Sequence, residues 1–118
     1  MARLTDPHLL ACYREAFRNR AVAGYVVLEG MAPAGQRRHL EGMSRAELLD
    51  LLHEYIEKGG EVDQVKETRE RWRDFWEFHF DLRVTIRGIL MYVETRLRPE
   101  SPKGLDDASV EIVNIHPA

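Results

Sequence analysis

The sequence predicts an α+β domain of two main helices packed on a three- to four-stranded, mainly antiparallel sheet, in the order α-β-α-β-β-β. Three observations carry this reading. From Trp76 to Ile86 apolar and polar residues alternate without a break, the period of a strand with one buried face. Two earlier segments repeat apolar residues at helical spacing behind recognisable start signals. The 118 residues, 44% hydrophobic and 31% charged, suffice for one domain, 1–118, with a core of its own.

The first helix starts at Asp6 as N-cap with Pro7 in the first turn, where a missing N–H does no harm. Leu9, Tyr13 and Phe17 follow at four-residue intervals with Leu10 beside them, and Asn19-Arg20 ends the helix. Ala23 to Glu29 reads as a short strand on its aromatic and β-branched content. Residues 30–42, with Gly30, Pro33, Gly35 and Gly42, read as a loop. Ser44 and Glu47 have the spacing of a capping box, and Met43 and Leu48 that of a hydrophobic staple. Leu48, Leu49, Leu52, Tyr55 and Ile56 form the stripe of the second helix, which Gly59-Gly60 stops. Residues 61–71 are mostly charged and show no period.

Arg87-Gly88 is a two-residue turn, with Ile89 to Leu97 as the return strand. Pro99 to Ala108 is a loop by composition, and Val110 to His116 a last strand whose alternation is irregular. The aromatic run Trp72, Phe75, Trp76, Phe78, Phe80 is expected in the core rather than as a base-stacking platform.

Composition narrows the function classes. The formal charge of -3 disfavours a general nucleic-acid coat. The 14 arginines against Lys58, Lys66 and Lys103 suit bidentate recognition of carboxylate or phosphate, but a GC-rich bacterial genome is the expected cause. No apolar run approaches the ~20 residues of a membrane span. A secretory signal is not expected from Met1-Ala2-Arg3-Leu4-Thr5-Asp6-Pro7, where acid and proline come early. Cys12, the one cysteine, permits no internal disulfide, and a cytoplasmic setting is expected. There is no CxxC, phosphate loop or dinucleotide fingerprint, and His53-Glu54-Tyr55-Ile56-Glu57 lacks the second histidine of a zinc-protease helix.

The hairpin register pairs side chains directly. With Arg87-Gly88 as the turn, Phe80 faces Thr95, Leu82 faces Val93 and Val84 faces Met91 on one side. On the other, His79 faces Arg96, Asp81 faces Glu94 and Arg83 faces Tyr92, each pair ~5 Å apart at Cβ. Asp81 and Glu94 are therefore adjacent carboxylates that need compensation. Arg83 and Arg96 could supply it diagonally, giving a solvated charge ladder, as could a shared proton or a divalent cation.

Asp81, a turn, then Val93-Glu94-Thr95-Arg96 resembles the core hairpin of the restriction-endonuclease-like nucleases, an Asp on one strand and Glu-x-Lys on the next. The resemblance covers about sixteen residues. It implies Asp81 and Glu94 as ligands of Mg²⁺ or Mn²⁺ and puts Arg96 where the family has lysine. Arginine stays protonated, so it supplies charge and no base. Pro99–Ala108 also has no room for the helix this superfamily carries there. In architecture the chain is similar to small metal-free toxin ribonucleases. His79, Arg83, Tyr92, Arg96 and His116 would then serve in acid–base catalysis and phosphate stabilisation.

No catalytic constellation is complete, so the sequence favours a small intracellular binding or regulatory module. A protein or a second copy of the chain is the expected partner, without membrane or cofactor. A small nuclease is the alternative.

Overall fold

The computed structural model describes residues 2–98 and 108–118. Its elements are β1 (Ala2–Arg3), α1 (Pro7–Arg18), β2 (Val26–Leu28), α2 (Ala32–His39), α3 (Arg45–Glu57), β3 (Val62–Lys66), β4 (Phe78–Ile86), β5 (Ile89–Arg98) and β6 (Ser109–Pro117). The fold is α+β, with three helices and one six-stranded mixed sheet ordered β1-β3-β4-β5-β6-β2. The expected two helices and three or four strands are corrected to that extent. The two added strands, β1 and β3, form an antiparallel edge beside β4, and β2, expected from the sequence, runs parallel to β6.

The local start signals fold as read. Asp6 accepts from the amides of His8 and Leu9 at 2.8 and 3.2 Å. Ser44 accepts from the Glu47 amide at 3.1 Å while Glu47 accepts from the Ser44 amide at 3.2 Å. The β4–β5 register matches expectation from Phe80–Thr95 to Ile86–Ile89, and Arg87 and Gly88 take the positive φ of 54° and 77° that the tight turn requires.

α2 corrects the loop expected over 30–42. Its proline lies in the first turn, where helices accept it, and its glycine marks a close contact. A Cβ on Gly35 would stand 2.2 Å from the Ile115 carbonyl oxygen, so the helix touches the β6 backbone because it has no side chain there. The Pro99–Ala108 loop lies outside the described residues, save Ala108.

One sheet face forms the core. Phe80, Leu82 and Val84 of β4, Met91 and Val93 of β5, and Val110, Ile112 and Ile115 of β6 are buried with Tyr13 and Phe17 of α1 and Leu48, Leu49 and Leu52 of α3. The irregular pattern of β6 has a simple cause. Glu94 pairs with Asn114 but Thr95 with Ile112, so Val113 is an extra residue in the strand. This bulge resets the alternation: Ile112 and Ile115 both reach the core, while Glu111 and Asn114 both reach the opposite face.

Candidate functional site

The face away from the core carries the chemistry. Strand alternation places His79, Asp81 and Arg83 of β4, Tyr92, Glu94 and Arg96 of β5, and His116 of β6 on it together. Every candidate named from the sequence thus shares one surface, but these residues are not one constellation. Arg83 pairs with Asp63 of β3. His116 donates through Nδ1 to the Pro117 carbonyl at 2.8 Å and lies 4.9 Å from the Tyr92 ring.

The segment 67–77, which the sequence left unassigned up to residue 71, folds over this face. The Glu67 amide donates to the Glu77 carbonyl at 2.9 Å, so the segment closes on itself. It delivers Arg69 between two carboxylates. Arg69 donates through Nε and Nη2 to Glu67, both at 2.8 Å, and through Nη2 and Nη1 to Glu94 at 2.6 and 3.3 Å. Glu67 and Glu94 are almost inaccessible, 4% and 5% exposed. The Arg69 guanidinium, despite the burial of the carboxyl, draws the pKa of Glu67 down to about 2.

Asp81, 2% exposed, is compensated separately. His79 donates through Nδ1 to its Oδ1 at 2.8 Å, and this hydrogen bond raises the histidine above its ordinary pKa. Burial, then the hydrogen bond to Asp81, raises Tyr92 well above the usual tyrosine range. The expected compensation by Arg83 and Arg96 is therefore corrected: His79 serves Asp81 and Arg69 serves Glu94.

His79, Asp81 and Glu94 place one donor atom each within 4.8 Å of one another, the spacing of a three-ligand metal centre. The hydrogen bonds work against that use. Both Glu94 oxygens accept from Arg69, and Asp81 accepts from the histidine nitrogen that faces it. A divalent ion would have to displace the guanidinium and turn the imidazole.

Trp72 and Trp76 correct the expectation of an aromatic run in the core. The backbone turns at this point, with the Trp76 amide donating to the Trp72 carbonyl at 3.0 Å, and the two-residue period starts only at Phe78. Both indoles lie against arginines. Arg96 sits 4.3 Å from the Trp72 centroid and 5.4 Å from that of Trp76, and Arg98 sits 4.7 Å from Trp76. Phe75 is exposed, and of the run Phe80 is buried in the core with Phe78 packed against it.

A cleft of about 530 Å³ opens beside this stack, lined among others by Arg69, Trp72, Trp76, Arg96, Glu111 and Asn114. Sequence reasoning missed Glu67, Arg69 and the two indoles as parts of this face. The available signal was Trp72 and Trp76 one helical turn apart among charged residues. No protein-family model, curated protein or solved structure matches the chain.

Proposed function

We propose that the chain is a small non-enzymatic binding module and that the cleft beneath segment 67–77 is its ligand seat. One observation carries the reading: Glu94 and Asp81, the paired carboxylates at the centre of this face, are already held by Arg69 and His79. With Glu94 held by Arg69 and Asp81 by His79, the His79, Asp81 and Glu94 cluster offers neither a free general base nor an open metal position. What stays open is a concave surface of ligand size with aromatic walls and polar groups. We place the module in the cytoplasm, where its lone thiol stays reduced. Among the described residues no helix is long and apolar enough to cross a membrane.

A second reading, a small divalent-metal nuclease, is favoured by the spacing of His79, Asp81 and Glu94 alone. Melting the wild type and Asp81→Asn with and without Mn²⁺, beside a nucleic-acid cleavage assay, separates the two. We expect no metal response and no cleavage, and ligand-induced NMR shifts confined to the Trp72 and Trp76 region. A Mn²⁺-induced rise in wild-type Tm that vanishes in Asp81→Asn, with cleavage, would replace the binding reading by the nuclease.

A further inference from the structure

Arg96 is a buried cation that forms no ion pair among the described residues. It is 5% exposed, and among the described residues no carboxylate or carbonyl accepts a hydrogen bond from it. Its Nε is fully enclosed and has no partner among the described residues. The acids within reach are taken: Glu94 is held by Arg69, and Glu111, its cross-strand neighbour, by Arg98 at 2.9 Å. Glu29 borders the cleft but is exposed and forms no ion pair with Arg96.

Burying a guanidinium unpaired is costly, and folded proteins rarely keep one without a partner. The indole faces of Trp72 and Trp76 recover part of the penalty, since a cation over an aromatic ring is attracted by its quadrupole. They leave the Nε–H donor, which lies in the guanidinium plane, without a partner among the described residues.

We propose that the Arg96 guanidinium, held between Trp72 and Trp76, is the anchor of a phosphate-binding site for a small phosphorylated ligand. The inference rests on the cleft being the ligand seat and adds the chemistry of what fills it. Phosphate is favoured over carboxylate because a dianion with several acceptor oxygens can engage Arg96 and reach the neighbouring Arg98 and Asn114, which line the same cleft. A small ligand is favoured over a nucleic-acid strand because the cleft holds about 530 Å³ and the chain carries a formal charge of -3.

The chain has two tryptophans, both in the proposed site, so their fluorescence reports occupancy directly. Titrating with inorganic phosphate, AMP, acetate and a single-stranded oligoribonucleotide, at constant ionic strength, tests the proposal. Saturable changes with phosphate and AMP are expected, with acetate weaker by about tenfold or more. Arg96→Gln should abolish the response, Arg96→Lys should weaken it about tenfold, and Arg83→Gln, once circular dichroism has checked that it folds, should leave it intact. A response to the oligonucleotide alone, equal binding of acetate, or unchanged binding in a folded Arg96→Gln would overturn it. If instead an uncharged ligand perturbs the cleft in NMR while phosphate and AMP do not, the phosphate inference falls and the binding reading stands.

Discussion

Arg69 and Glu94, separated by 25 residues of chain, form a two-point ion pair at 2.6 and 3.3 Å, and the same guanidinium grips Glu67. The pair fastens segment 67–77 to the centre of the sheet. It makes the loop part of the fold, because two buried carboxylates depend on it.

Removing the guanidinium leaves those acids unpaired. Arg69→Ala should lose about 3 kcal/mol of stability, at the low end for a broken buried pair because Arg69 itself is half exposed. Chemical denaturation measures this, and tryptophan emission should shift as the loop loosens. A loss below about 1 kcal/mol would mean that the clamp is no stronger than a surface ion pair.

The same cluster sets two limbs of pH dependence. Glu67 has a pKa of about 2 in the folded chain against its ordinary 4.5. Its contribution to stability is therefore complete above about 4.5 and lost as pH falls toward 2. His79 is raised above its ordinary 6.5, so its contribution is complete below that value and lost as pH rises through the folded-state midpoint. Tm measured across pH should plateau between the limbs, with Arg69→Ala flattening the acid limb and His79→Gln the upper one. An upper limb that persists in His79→Gln would assign it elsewhere.

In the core, Thr95 donates to the Phe80 carbonyl at 2.6 Å, so its oxygen accepts from the Tyr13 hydroxyl. Thr95→Val keeps the shape but strands a phenol and a carbonyl, and should cost about 1–3 kcal/mol. Thr85→Ala, at an exposed position of β4, should stay within about 0.5 kcal/mol. Similar losses for the two would show that the Tyr13–Thr95 contact is dispensable.

Gly35→Ala tests the seat of α2. The added methyl would stand 2.2 Å from the Ile115 carbonyl oxygen, so helix and strand must part, at about 3 kcal/mol. NMR shifts should concentrate along β6 and the 30–40 segment. A neutral outcome would mean that α2 packs less closely than the backbone contact indicates.

The sequence by itself determined what depends on near neighbours. Asp6 and Ser44 cap their helices because a short side chain reaches an amide two or three residues on, and nothing distant can alter that geometry. The β4–β5 register followed from a two-residue turn and a period of two, so the adjacency of Asp81 and Glu94 was legible in the residue pattern alone. Only the tertiary structure decided what those carboxylates meet. Arg69 comes from a segment with no hydrophobic period, and its place depends on a loop closing over the sheet. Trp76 falls in phase with β4 in the sequence, yet the chain turns just ahead of the strand and sets it against Arg96. The Val113 bulge and the α2–β6 contact escaped for the same reason. Each is fixed by a partner strand far along the chain, and local pattern records only which side chains avoid water, not which groups will meet them there.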